Sequence, residues 1–210
     1  MLAALFLIGC APHYQHPELG PRVAQHVRVA IAPLQWQNRR KASPRQLPPA
    51  QLDEQGQLIG QRLQTAIFRQ LEHRAPHLQL QSPQNTNALL SQPPRAVGPT
   101  TRAQRLGVDA IVSGHVVLRD ALPSGAALLL EVIGGLSGES VYAPTSNLEV
   151  TLSMHDGRTG TLLWQCKRTG QGELGEEPET IAHGMLQQCH LPKLYTLSSQ
   201  DDDKRQGSPG

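Results

Sequence analysis

Hydrophobic residues recur along the chain at two spacings, and each spacing predicts one kind of element. The helical spacing runs through Leu52, Ile59, Leu63, Ile67 and Leu71, with Gln and Arg between them. These side chains would share one face of a long helix. We expect that helix to end near residues 73–74, because Pro76 cannot continue it and basic side chains suit its negative end.

Strand patterns precede and follow this helix. Residues 25–36 contain an apolar run that Pro33 closes, and residues 77–81 predict a short second strand. Residues 106–117 predict the end of a short helix followed by a nearly continuous apolar strand. A strand of that kind is typical of a position covered on both faces.

The C-terminal third predicts a β-hairpin followed by a helix. Residues 147–155 alternate, so that one face of the strand carries Leu148, Val150, Leu152 and Met154. Residues 156–160 supply two glycines for positive φ and join this strand to residues 161–169. A final helix should span about residues 176–190, with acidic residues at its positive end.

Four segments fit neither spacing. The prolines of residues 38–49 and 82–100 predict surface loops. Residues 120–144 form an apolar, glycine-containing insertion, and residues 198–210 form a charged tail that we expect to be disordered.

The insertion is unusually apolar for a surface excursion. Its apolar block does not alternate, so it does not match a membrane β-strand. We expect the block to contact a partner protein or a second copy of the chain through Leu128, Leu129, Leu130, Val132 and Ile133. A loop or helix packed on the domain explains the composition equally well.

These elements predict an α/β fold in one domain of residues 25–197. We expect a mixed sheet of about four to five strands, with a βαβ-type start and a C-terminal hairpin plus helix. The chain of 210 residues is long enough for one such core. The net charge of +2 comes from scattered basic residues, and the densest group, residues 39–41, lacks aromatic neighbours. Nucleic acid is therefore not expected as a partner.

The N-terminus has the features of an export signal. Residues 2–8 are apolar but too few to span a bilayer, and they lead into Gly9 and Cys10. The sequence LIGC resembles the lipobox of bacterial lipoproteins, in which the cysteine is lipidated and freed by cleavage. We expect residues 1–9 to be a signal peptide, Cys10 to anchor the chain in a membrane, and residues 10–24 to be a flexible tether. An ordinary leader with an incidental cysteine is the alternative.

An envelope location leads to two further predictions: which membrane holds the protein, and whether its other two cysteines pair. Ala11 is not the aspartate that, in lipoproteins of this type, often retains a protein at the inner membrane, so we expect the outer membrane, facing the periplasm. Cys166 lies on the same strand face as Trp164, and Cys189 lies on the same helix face as Met185. The two thiols could pair if that helix packs on that face, or could remain two unpaired buried thiols.

Three motifs carry a resemblance to a known group. They are VAIAPL at residues 29–34, LGVDAIVSG at residues 106–114 and DGRTGTLLW at residues 156–164. In this order they resemble the small α/β domain of envelope lipoproteins such as the curli-secretion lipoprotein, the lipoprotein activator of penicillin-binding proteins and the N-terminal domain of the TolB translocation protein. The resemblance implies a non-enzymatic role in binding, assembly or secretion.

Nothing in the sequence favours catalysis. The nine histidines are scattered, and the glycines of residues 134–138 lack the lysine of a phosphate loop. We expect no catalytic residue, metal or cofactor, and interpret Asp109 as a strand-edge cap, Glu149 as part of a solvated face and Trp164 as core. The expected role is that of an accessory or assembly protein with an envelope protein partner or self-association. A module that binds a small ligand or cell-wall fragment is the alternative, and an envelope hydrolase is less favoured.

Overall fold

The computed structural model describes residues 13–39, 49–92, 98–120, 146–171, 178–189 and 195. Its strands are β1 (His13–Gln15), β2 (Arg28–Ile31), β3 (Gln35–Asn38), β4 (Gln79–Leu80), β5 (Ala110–Asp120), β6 (Ser146–Asp156) and β7 (Leu162–Gln171). Its helices are α1 (Leu19–Val23), α2 (Pro49–Arg74), α3 (Pro83–Ser91), α4 (Pro99–Leu106) and α5 (Pro178–Cys189). The predicted mixed α/β fold in a single domain is confirmed.

The sheet is built around β5. Its order is β1-β7-β6-β5-β2-β4, and β3 also pairs with β5, giving seven strands in the described ranges where four to five were expected. Along one side, β5 pairs with β6 from Ala110 to Asp120. Along the other side, its first part pairs with β2 and its later part pairs with β3, both in parallel.

The strand predicted over residues 25–36 is therefore two strands. Four steps of chain separate Ile31 from Gln35, whereas three steps separate their partners Val112 and His115. The extra residue lies at the turn that contains Pro33, which has no N–H to donate to the ladder. A bulge at this point lets both halves follow the same neighbouring strand.

The first face of the sheet carries the main core. The long helix is confirmed, and it buries Leu63, Ile67 and Leu71 against this face. The alternation of the hairpin strand is also confirmed, because Leu148, Val150, Leu152 and Met154 are all buried in the same core. Helix α5 packs beside α2 and ends close to its predicted boundary, at Cys189.

The second face carries a smaller core near β2 and the start of β5. It contains Ala30, Ala32, Ala103, Leu106, Val108 and Ile111. The predicted loop over residues 82–100 is wrong, because α3 and the start of α4 lie there. Pro83 and Pro99 each occupy a helix start, where a missing N–H is harmless, and the Ser82 side chain accepts a hydrogen bond from Asn85 N–H.

The N-terminal part of the domain begins earlier than the sequence predicts. Residues 13–15 form β1, which pairs with β7, and α1 follows, burying Leu19 and Val23 in the main core. The prediction of a tether is therefore wrong from residue 13 onward. Residues 10–12 lie outside the described ranges, as do the predicted signal peptide, the predicted insertion after Asp120 and the predicted tail.

The hairpin turn differs in one detail from its prediction. Gly160 adopts a positive φ of 72°, but Gly157 does not. Gly157 instead lies where a Cβ would sit 2.6 Å from the carbonyl oxygen of Val108. Its missing side chain permits a close approach of two backbones rather than an unusual backbone angle.

Cys166 and Cys189 form a disulfide, with their Cα atoms 5.7 Å apart. The bond joins β7 to the end of α5. Trp164, on the same strand, is fully buried, as expected. None of the helices in the described ranges is both long and apolar enough to cross a bilayer.

We predict that Gly60→Ala destabilises the protein although alanine favours helices. The added Cβ would collide with the carbonyl oxygen of Leu34, and overpacking of this kind costs about 1–3 kcal/mol. Gly20→Ala is the matched control, because nothing lies within 4 Å of its Cβ position in α1. Urea unfolding should show a lower midpoint for the first variant only; equal midpoints would contradict the close approach.

The disulfide should contribute about 3 kcal/mol, since the two cysteines are separated by 23 residues. The double variant Cys166→Ala/Cys189→Ala avoids leaving one buried thiol unpaired. Reducing agent should lower the urea midpoint of the wild type to that of the double variant, and should not change the double variant itself. A wild-type midpoint that is insensitive to reduction would contradict this role.

Candidate functional site

The small core covers only part of the second face of the sheet, and the rest of that face is polar. Helices α3 and α4 contact this face near β2, the start of β5 and the end of β6. Farther along the strands, alternation and register bring polar residues of β3, β5, β6 and β7 to the same face. We call this surface the polar face; its polar members are Gln35, Gln37, Arg39 just after β3, His115, Arg119, Glu149, Thr151, Ser153, Gln165, Lys167 and Thr169, and the buried Val117 lies among them.

Glu149 lies at the centre of the polar face. Its Oε2 is 2.8 Å from Lys167 Nζ and 3.5 Å from Arg119 Nε. The two basic residues come from strands on either side, β7 and β5, and reach the carboxylate diagonally. The interpretation of Glu149 as a solvated side chain is wrong, because only 9% of the residue is exposed.

The ionisation of Glu149 is set by opposing effects. Burial alone would raise the pKa of its carboxyl. The hydrogen bond from Lys167 and the positive charges of Lys167 and Arg119 outweigh burial, so the pKa of Glu149 lies below its usual value. The carboxylate is therefore charged at neutral pH and holds both basic side chains over the sheet.

Hydrogen bonds also order the rest of the polar face. Gln165 Nε2 donates to Ser153 Oγ at 2.9 Å, between β7 and β6. At the other side, Arg39 Nη2 donates to Gln37 Oε1 at 3.1 Å. Such bonds fix side chains that would otherwise lose rotamer freedom when a ligand or partner binds.

The polar face carries a net positive charge. Among its described members, Arg39, Arg119 and Lys167 are basic and Glu149 is acidic. The side chains of Arg119 and Lys167 keep exposed fractions of 47% and 37%. This face can therefore offer cations to a partner with acidic groups, while its own carboxylate remains buried.

A second polar cluster supports the hairpin turn. Asp156 Oδ1 accepts hydrogen bonds from the N–H groups of Arg158 and Thr159 and from Thr159 Oγ1. Its Oδ2 lies 3.7 Å from Arg22 Nη1 and 4.0 Å from Nε2 of the buried His26. Because backbone donors occupy the carboxylate, this cluster holds the turn rather than presenting a free acid.

Asp109 plays a similar structural part, as predicted. Its Oδ2 accepts from the N–H groups of Val27 and Arg28, at 3.0 and 2.9 Å. These bonds lower the pKa of Asp109 although its partial burial acts in the opposite sense. Asp109 therefore ties the start of β2 to the start of β5 as a strand-edge cap.

The predicted site residues have two outcomes: one pair is brought together, and the others lie outside the described ranges. Cys166 and Cys189 are brought together as a disulfide. Cys10 and the apolar block of the insertion, Leu128, Leu129, Leu130, Val132 and Ile133, lie outside the described ranges. In the parts of the chain that the structure describes, no three His, Cys, Asp or Glu side chains converge as metal ligands.

The charged centre of the polar face could not be predicted from the sequence. Alternation along residues 147–155 placed Glu149 on the face opposite the core, which is correct. It gave no sign that Lys167 and Arg119 would cover the carboxylate, since their contact depends on pairing between strands. The burial of His26 beside Asp156 likewise follows from contacts between residues far apart in sequence.

Several solved structures have similar folds. The PelC dodecamer from Paraburkholderia phytofirmans has 12% identity and a TM-score of 0.44, over 88% of this chain and 98% of that one. The LpoB C-terminal domain from Salmonella enterica has 12% identity and a TM-score of 0.35, over 73% and 96%. Lipoprotein GNA1162 from Neisseria meningitidis has 10% identity and a TM-score of 0.37, over 79% and 97%.

These likenesses concern the fold alone. No protein-family model matches the chain, and no curated protein matches it in sequence.

We predict that Glu149→Gln destabilises the protein near neutral pH by about 1–3 kcal/mol, because two basic groups lose a partly buried partner. The folded-state pKa of Glu149 is lowered, so its charge stabilises the fold above the unfolded value of about 4.3. That contribution disappears as the pH falls through the folded-state pKa.

Urea unfolding at a series of pH values tests this prediction. The gap between wild type and Glu149→Gln should be full at neutral pH and should close on acidification. Glu72→Gln, a change at an exposed position of α2, is the control and should show no such gap. A gap that stays constant with pH would mean that the lost contact is not electrostatic.

Proposed function

We propose that the protein is a lipid-anchored accessory protein of the bacterial envelope that binds an acidic partner protein through its polar face. The arrangement of the three cysteines is the observation that supports a location in the cell envelope. Cys166 and Cys189 are joined in a disulfide, and the third, Cys10, follows an apolar N-terminal run. Disulfides persist in oxidising compartments such as the periplasm, which fits an exported chain.

Lipid attached to Cys10 would anchor the chain in the membrane. A short apolar run that stops at a small residue and a cysteine fits export followed by lipidation, with residues 1–9 removed. Several acyl chains on one residue supply enough apolar area for stable anchoring. The outer membrane, facing the periplasm, is the location we favour.

The ordered basic groups of the polar face support a contact with an acidic partner protein. Its basic groups are held over an ordered sheet by Glu149, so little conformational freedom is lost when they meet acidic side chains. Complementary charge of this kind guides association and selects the partner. The carboxylates of Asp109 and Asp156 are already bound to backbone N–H groups, which supports a binding role over an enzymatic one.

The anchor is tested by Cys10→Ala, expressed from the native locus. We expect the wild type to remain with the membrane fraction after washing with high salt and carbonate, and the variant to remain unprocessed or become soluble. The disulfide pair serves as an internal control, because Cys166→Ala/Cys189→Ala should leave membrane association unchanged. An identical distribution of wild type and Cys10→Ala would contradict lipidation.

The partner surface is tested by photo-crosslinking in the native cell. A photoreactive amino acid at Thr169, exposed on the polar face, should give a discrete protein adduct, whereas one at the exposed Gln61 of α2 should not. The charge reversal Arg39→Glu/Arg119→Glu should reduce the adduct by at least about tenfold, a loss of one factor of ten in affinity.

The matched control for this experiment is Arg62→Glu/Arg69→Glu, which reverses two exposed charges on α2. It should leave the Thr169 adduct unchanged. Adducts from Gln61 alone, or equal effects of both charge reversals, would exclude the polar face as the contact.

A further inference from the structure

The first described strand begins very close to the expected anchor. β1 starts at His13, and only Ala11 and Pro12 separate it from Cys10. Three residues of extended chain span at most about 11 Å. The start of β1 therefore cannot lie farther than this from the backbone of Cys10.

β1 is an integral part of the sheet. Its three residues pair with Cys166, Gln165 and Trp164 of β7, and His16 N–H donates to the carbonyl of Leu163 at 2.8 Å. The helix that follows buries Leu19 and Val23 in the main core. The two residues between Cys10 and the folded domain are therefore too few to form a long tether.

We propose that this short connection holds the domain directly against the phospholipid headgroups, with the β1–β7 end of the sheet in contact with the lipid surface. The inference rests on the proposed lipidation of Cys10. It replaces the picture of a domain that reaches for partners on a flexible tether, because the domain would stay within one short connection of the bilayer.

The side chains at this end suit a headgroup surface. Tyr14 is one of three large hydrophobic residues exposed within the described ranges, with 42% of its surface accessible. Its strand partner Gln165 belongs to the polar face, so Tyr14 lies beside that face on the same side of the sheet, and Lys167 is the next residue of β7 on that side. A tyrosine ring with a polar tip and a neighbouring lysine are typical of membrane interfaces.

Leu58 provides a comparison position with a similar exposed fraction, 48%. It lines a groove with Pro178, at the opposite end of α5 from Cys189. A helix of 12 residues is about 17 Å long. Leu58 therefore lies well away from the disulfide, and hence from the start of β1, which pairs with Cys166.

Fluorescence quenching tests the contact. Lipidated Tyr14→Trp and Leu58→Trp are reconstituted in vesicles of phosphatidylethanolamine and phosphatidylglycerol that contain lipids brominated near the glycerol end. Emission from Trp36 and Trp164 is common to both variants and is subtracted with the wild type. We expect quenching of Tyr14→Trp to exceed that of Leu58→Trp by at least about twofold, because an aromatic ring held at headgroup level lies nearer the bromine than one far from the anchor.

Vesicle flotation separates failure of the inference from failure of the proposed function. If the protein does not float with the vesicles, the anchor is absent and both are overturned. If it floats but the two variants are quenched equally, lipidation stands and the contact at β1 is overturned.

A spacer variant tests the role of the short connection. About twelve glycine and serine residues between Pro12 and His13 would let the domain move about 20 Å from the anchor. Flotation should be unchanged, while quenching of Tyr14→Trp should fall toward the Leu58→Trp level. Undiminished quenching would overturn the claim that the connection holds the domain in place.

Discussion

The pairing of β5 with neighbours on both sides determines the rest of the structure. β6 follows it along its whole length, while β2 and β3 share its other side. Asp109 fixes the start of this arrangement by binding the N–H groups at the start of β2. Gly114 permits the close approach of β6, because a Cβ there would collide with the carbonyl of Thr151. The two faces of the sheet, and everything packed on them, follow from this register.

The register separates two kinds of surface. Apolar residues of β5 and β6 meet α2 and α5 on one face and form the main core. The residues between them form the polar face, where Glu149 is held between Lys167 and Arg119. The core supplies stability through burial of apolar area, whereas the polar face supplies exposed charge on a rigid support. A binding role is the function that this division favours.

Sequence alone predicts those parts of the fold that have a strong local pattern. The helix through Leu63 and Leu71 and the hairpin through Leu152 repeat apolar residues over many turns or pleats, so both were expected. β1 has three residues and exists only because β7 offers it a partner, so no local pattern could reveal it. Pro83 and Pro99 suggest breaks when read singly, but each fills the first turn of a helix.

The polar face, too, could be predicted from the sequence only in part. Alternation within the hairpin places Glu149 and Lys167 on one side of the sheet. Arg119 joins them through the pairing of β5 with β6, and Arg39 only because β3 pairs with the far half of β5, a contact between residues about eighty positions apart. The cysteine pair was predictable as a candidate because each thiol shared a face with buried residues, and the packing of α5 on β7 completes it.

Lipid anchoring at Cys10 is tested most directly by the intact mass of the mature protein isolated from its own cell, measured before and after reduction and alkylation. A lipid-anchored envelope protein should start at Cys10, carry the mass of lipid on that residue, and take up alkyl groups at Cys166 and Cys189 only after reduction. A chain that begins at Met1, with all three thiols free before reduction, would contradict it.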